Sequence, residues 1–166
     1  MGDQGLRPAE ILLVEDNPDD VEITLRAFRK VRVANRVQVV RDGQEALDLL
    51  FRRGDHEGRT DVPQPDLVLL DLNLPKLNGL EVLEKIRSSD ECSMIPVIML
   101  TVSERQEDIQ RSYDLGANTY ITKPVDFAKF VRATEILGEY WLIIAKLPPK
   151  VGRGRAGPYE ERHEGA

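Results

Sequence analysis

Glu15 and Asp16 follow the apolar run ILLV, Asp71 follows LVLL, Thr101 follows VIML, and Lys123 stands just past Thr119 to Ile121. If these runs are parallel strands of one sheet, three carboxylates, a hydroxyl and an ammonium emerge along one edge. In open α/β sheets the ligand crevice lies outside the carboxyl ends of the strands. Carboxylates gathered there raise one another's pKa unless a cation intervenes. An all-oxygen donor set selects a hard ion, and one or two carboxylates, a backbone carbonyl and waters suit Mg²⁺. Asp16 and Asp71 are the expected direct ligands, with Glu15 acting through water. An aspartate can also attack phosphorus to give an aspartyl phosphate. Lys123 would then pair with one phosphoryl oxygen, Thr101 would donate to another, and Mg²⁺ would neutralise the charge. Plainer readings stand beside these. Glu15-Asp16 could cap the helix opening at Pro18-Asp19-Asp20, Asp71 could cap a loop, Thr101 could cap a helix near Glu104-Arg105, and Lys123 could be an exposed lysine before a turn. A cis Lys123-Pro124 bond is one way to turn the lysine inward.

The elements that must position these groups follow from hydrophobic periodicity. Ile11 to Val14, Leu67 to Leu70 and Val97 to Leu100 are apolar on both faces, as central parallel strands are. Val37, Val39 and Val40 partly alternate with Gln38, which predicts an edge strand, and Thr119 to Ile121 makes a fifth. Helical patterns lie between: Val21, Leu25, Phe28; Ala46, Leu47, Leu50, Phe51; Leu80, Leu83, Ile86; and Ile109, Tyr113 before Gly116. Strands alternating with helices predict a doubly wound α/β fold with helices on both faces of the sheet. The polar stretch Arg52 to Gln64 predicts a surface loop containing a solvated His56. The composition of 148–166 predicts a disordered tail.

Composition narrows the function. The 166 residues carry 23 basic and 29 acidic side chains, a net charge of −6, which gives no electrostatic footprint for nucleic acid. Cys92 is the one cysteine, so no intramolecular disulfide forms, and a buried inert thiol in a reducing compartment is expected. No apolar run approaches the roughly 20 residues that span a bilayer. A cytoplasmic protein without membrane contact is the expectation.

The segments ILLVEDNPDD, PDLVLLDLNLPKLNGLEVLEKIR, IPVIMLT and GANTYITKP, in that order and spacing over about residues 9 to 135, resemble response-regulator receiver domains of two-component signalling. The resemblance implies a flavodoxin-like five-stranded parallel sheet in strand order 2-1-3-4-5. It implies Asp71 as the phosphoacceptor, Glu15 and Asp16 as the acidic pair, and the Asn73 main-chain carbonyl as a further Mg²⁺ contact. Thr101 and Lys123 match the family's switch hydroxyl and lysine, and Tyr120 falls at its switch aromatic. Such a protein is not a turnover enzyme, although it supports its own Mg²⁺-dependent phosphorylation and dephosphorylation. Its partner would be a sensor histidine kinase. The long Arg52 to Gln64 loop and the ending EILGEYWLIIAKLPP resemble single-domain regulators paired with phytochrome-type kinases. Val125 follows Pro124 where many receivers have Phe, and Glu15 replaces an Asp found in some members.

The receiver-like unit is expected over 9–147, leaving only 148–166 beyond it and no output domain for DNA. Output is then a protein contact, either docking or onward phosphotransfer. On the last helix Phe127, Phe130, Val131, Leu137, Trp141 and Ile144 form one apolar stripe that can cover the sheet. Ile136, Tyr140, Ile143 and Leu147 form a second stripe, which predicts a homodimer face. Three other functions compete. An aspartyl phosphohydrolase usually needs a second acid/base Asp where Asn73 stands. A nucleotide or flavin binder needs a phosphate cradle where Glu15-Asp16-Asn17 would repel one. A pseudo-receiver would serve as a dimerisation module alone.

Overall fold

A computed structural model describes residues 7–149. The predicted tail therefore lies outside the described residues from position 150 onward. Five strands, β1 (Ala9–Val14), β2 (Asn35–Val40), β3 (Leu67–Leu70), β4 (Val97–Thr101) and β5 (Thr119–Thr122), form one sheet in the order β2-β1-β3-β4-β5. Every pairing is parallel. Five helices connect them and complete the fold: α1 (Pro18–Arg29), α2 (Gly43–Leu50), α3 (Gly79–Arg87), α4 (Gln106–Asp114) and α5 (Phe127–Glu139). This is the flavodoxin-like architecture expected from the sequence.

The period-two geometry of a strand sorts the core into two layers. Leu12, Val14, Val68, Leu70 and Met99 point to one face and pack with Leu47, Leu50, Leu83 and Ile86 of α2 and α3. Ile11, Leu13, Leu67, Leu69 and Ile98 point to the other and pack with Val21 and Phe28 of α1 and Leu137 of α5. The central strand β3 is therefore buried along its whole length, whereas β2 alternates between half-buried and exposed residues as an edge strand does. Gly138 permits the close passage of α5 over the end of α1, because a Cβ there would lie 3.3 Å from Phe28 Cε1 and 2.7 Å from Cγ2 of Val31 just beyond that helix.

Three local features depart from the sequence pattern. α5 ends at Glu139 and continues as a π turn over Tyr140–Ile144, closed by the Ala145 N–H donating to the Tyr140 carbonyl at 2.7 Å. The wider turn breaks the 100° phase of the predicted stripes, so Ile144 is 69% exposed and Leu147 lies beyond the helix. Phe127, placed by the pattern on the covered stripe, is 59% exposed at the first turn of α5. Tyr113, read as an inward residue of α4, is largely exposed, and Ser112 is the fully buried residue of that helix. The segment from Arg52 to Gln64 is a loop with a short 3₁₀ turn at Gly54–His56. It is anchored by Gln64 Nε2 donating to the Leu50 carbonyl at 2.8 Å and by the Arg52 guanidinium donating to the Val62 carbonyl at 3.2 Å. Cys92 is buried, and burial pushes its thiol pKa up.

Candidate phosphoacceptor site

The strand order brings the ends of β1, β3, β4 and β5 side by side. β1 stops at Val14, and Glu15 is buried immediately beyond it while Asp16 is exposed. Helix capping does not consume this acidic pair. Asn17 is the N-cap of α1, its Oδ1 accepting from the N–H groups of Asp19 and Asp20. Glu15 Oε1 accepts from the Asn17 N–H at 3.1 Å, which leaves its other oxygen facing the crevice.

Asp71 follows β3 and is 7% exposed. Its N–H donates to the Val14 carbonyl at 3.1 Å, tying the end of β3 to the end of β1. Its Oδ1 accepts from the Asn73 N–H at 3.3 Å. A Cβ on Gly79 would lie 2.1 Å from the Asp71 carbonyl oxygen, so only glycine lets α3 begin this close to the strand end. Asn78 closes a capping box with Glu81 at that helix start.

Lys123 is buried although charged. The Lys123 N–H donates to the Thr101 carbonyl at 2.7 Å, and Nζ is bonded to three carboxylates: Glu15 Oε2, Asp20 Oδ2 at 2.9 Å and Asp71 Oδ2 at 3.0 Å. The expected cis bond before Pro124 is corrected: no described peptide bond is cis. The trans chain leaving β5 already delivers the side chain inward, so no isomer is needed.

Thr101 is fully buried and its Oγ1 accepts from the Ser103 N–H at 3.5 Å. It does not cap α4, whose N-cap is Arg105 without a side-chain bond. The Tyr120 hydroxyl donates to the Ser103 carbonyl at 2.9 Å, and the Tyr120 N–H donates to the Tyr113 hydroxyl at 3.1 Å. Ser103 thus touches both Thr101 and Tyr120.

Burial dominates the electrostatics of Glu15 and raises its pKa to about 7, with the Lys123 hydrogen bond pulling the other way. Burial alone would lower the Lys123 pKa, but its hydrogen bonds with Glu15 and Asp20 and the charge of Asp71 overturn this and hold it above the usual lysine range. Glu15, Asp16 and Asp71 each offer an oxygen, all within 4.8 Å of one another. This hard, all-oxygen donor set fits a divalent ion such as Mg²⁺. Asp20 escaped the sequence reading. It stands in the first turn of α1, where an acidic residue is favoured by the helix dipole whatever else it does. Its place one turn beyond Asp16 was the available signal.

The family model described as "Response regulator receiver domain" matches residues 11–135. The probable methanogenesis regulatory protein FilR2 of Methanothrix harundinacea is 42% identical over 135 residues, 81% of this chain and 84% of that protein. The crystal structure of the phosphorylated cyanobacterial phytochrome response regulator RcpA superposes with a TM-score of 0.82 at 40% identity, covering 86% of this chain and 100% of that one. The Mn²⁺-bound form of response regulator Rcp1 superposes with a TM-score of 0.81 at 34% identity, over 86% of this chain and 100% of that one.

Proposed function

The chain belongs to the response regulator receiver family, and on that premise we propose that it accepts a phosphoryl group onto Asp71 from a partner histidine kinase and signals through altered protein contacts. The observation that carries this is the buried Lys123 ammonium 3.0 Å from Asp71 Oδ2, beside a second acidic group on the β1 end. An Asp71 oxygen forms the new bond to phosphorus as the bond from phosphorus to the donor nitrogen breaks, and the freed imidazole keeps the electron pair. Lys123 can follow that charge onto a phosphoryl oxygen and Thr101 can donate its hydroxyl proton to another, so both stabilise charge where it develops. A divalent ion on Asp16, Asp71 and the Asn73 carbonyl, with Glu15 through water, would supply Lewis-acid neutralisation of the phosphoryl oxygens; the Mn²⁺-bound relative supports such an ion. Release of phosphate is attack of water on the same phosphorus, so the site would support its own dephosphorylation. Intact mass after exposure to a small-molecule phosphodonor tests this. One Mg²⁺-dependent phosphoryl group is expected on the native chain and none on Asp71→Asn; an unmodified native chain would favour a pseudo-receiver.

Thr101 drawn toward the phosphoryl group would pull Ser103 with it and break the Tyr120 hydroxyl bond, which makes Thr101 and Tyr120 the switch pair. The phytochrome response regulator RcpA among its structural relatives supports a phytochrome-type kinase as the phosphodonor. Ile136, Tyr140 and Ile143 are each about half exposed at the end of α5 and in the π turn, with Leu147 half-buried just beyond, and this apolar surface supports a homodimer. Light scattering at micromolar concentration should give twice the chain mass, and Tyr140→Glu should give the monomer while leaving phosphorylation intact. A native monomer, with and without a phosphoryl analogue, would remove the dimer. Onward transfer to a phosphotransfer protein remains the other output this site chemistry supports.

A further inference from the structure

We propose that Asp20 is a positioning residue that keeps the Lys123 ammonium in place while a divalent ion occupies the acidic pair. This deepens the phosphoacceptor reading and rests on it. An ammonium has three N–H donors, and here they face three carboxylates, Glu15, Asp20 and Asp71. Two of those three, Glu15 and Asp71, belong with Asp16 to the cluster whose oxygens converge within 4.8 Å; Asp20 does not. A divalent ion on that cluster competes with Lys123 for Glu15 and Asp71 and repels it by like charge. Asp20 is the partner that the ion leaves to the lysine. It approaches from α1 on a backbone fixed by the Asn17 cap and by the Thr24 hydroxyl donating to the Asp20 carbonyl at 2.8 Å. Its side chain is 21% exposed, against 3% for Glu15 and 8% for Asp71, so it can be changed without opening the core. Held this way, Lys123 meets an incoming phosphoryl group already oriented, and misplacement of such a group by about 1 Å can cost 10²-fold in rate.

The Lys123 ammonium resonance in ¹⁵N-edited NMR reports this directly, because a held ammonium exchanges slowly. In the native chain the resonance should persist on adding Mg²⁺. In Asp20→Ala it should be lost on adding Mg²⁺, with phosphorylation by a small-molecule phosphodonor at saturating Mg²⁺ slowed roughly tenfold. Asp20→Asn, which keeps an acceptor, should restore part of both. Asp19→Ala removes a neighbouring first-turn carboxylate that has no contact with Lys123 and should change neither. An Asp20→Ala chain that keeps the ammonium resonance in Mg²⁺ would overturn the proposal, whatever its rate. If the native chain takes up no phosphoryl group, the phosphoacceptor reading fails while the resonance still decides the role of Asp20.

Discussion

Glu15 shows how the site holds its charges. Its side chain is shut away from water, and the resulting rise in pKa to about 7 from an ordinary 4.5 is moderated by the Lys123 ammonium on Oε2. A carboxyl whose folded pKa is raised binds more protons folded than unfolded, so its contribution to stability is complete below about pH 4.5 and is lost as pH climbs through about 7. With divalent ions chelated, the native chain should therefore lose stability relative to Glu15→Gln between about pH 5 and 7.5, by no more than about 3 kcal/mol at 1.36 kcal/mol per pKa unit. Urea titrations of both chains at several pH values measure this, and parallel pH profiles would show that Glu15 is not protonated in the folded chain. At this scale most of the candidate site's geometry is legible in the sequence. Glu15, Asp16, Asp71, Thr101 and Lys123 each interrupt the apolar pattern at a strand end, and the topology leaves strand ends little freedom. Asp20 was not legible, because sequence alone cannot separate an acidic residue that serves the helix dipole from one that also reaches across to a lysine 103 positions away.

Helices and loops are held to the sheet by a few side chains that span elements, and Arg87 at the end of α3 is the clearest. Its guanidinium donates to the Gly116 carbonyl at 2.9 Å, the Ser93 carbonyl at 3.0 Å, the Ile95 carbonyl at 2.8 Å and Asn118 Oδ1 at 2.8 Å, joining α3 to the segments that enter β4 and β5. Asn118 Oδ1 also accepts from the Val97 N–H, so one network sets the start of both strands. Arg87→Met would keep the aliphatic stem and strip several part-buried acceptors of their donor. A loss of about 3 kcal/mol is expected, seen as a lower urea midpoint at unchanged slope. A midpoint within the error of the native chain would show that water replaces the guanidinium. The strands themselves were legible because a parallel strand buried on both faces is almost all apolar, as β3 is. α4 and the end of α5 were less so. A periodic pattern shows which residues share a face but not what packs on that face, so Tyr113 and Phe127 could be placed on a stripe and still end exposed. The π turn after Glu139 follows a run of apolar residues, YWLII, whose types carry no signal for a change from i+4 to i+5 bonding.

The whole molecule carries six more acidic than basic side chains, and its fold concentrates part of that excess at one point. Glu15, Asp20 and Asp71 surround one ammonium, and an oxygen of Asp16 lies within 4.8 Å of those of Glu15 and Asp71, so the folded chain contains a repulsion that the unfolded chain relieves by separating the groups. A divalent ion that binds only the folded site reverses this. Stabilisation by such a ligand is about 2.7 kcal/mol at a hundredfold excess over Kd, which for a chain of 166 residues corresponds to a melting shift of about 5–10 °C. The native chain should therefore melt about that much higher in saturating Mg²⁺ than with a chelator. Asp16 is exposed and outside the hydrogen bonds that hold Lys123, so Asp16→Asn would remove a ligand of the proposed ion and a repelling charge without opening the core. Its two consequences have opposite signs. Without metal it should melt at or slightly above the native chain, and in Mg²⁺ it should gain little or nothing. The crossing of the two chains between chelator and Mg²⁺ separates a true ion site from general screening, since screening by added salt would raise both chains together. Equal shifts in the native and Asp16→Asn chains would refute an ion held by this cluster.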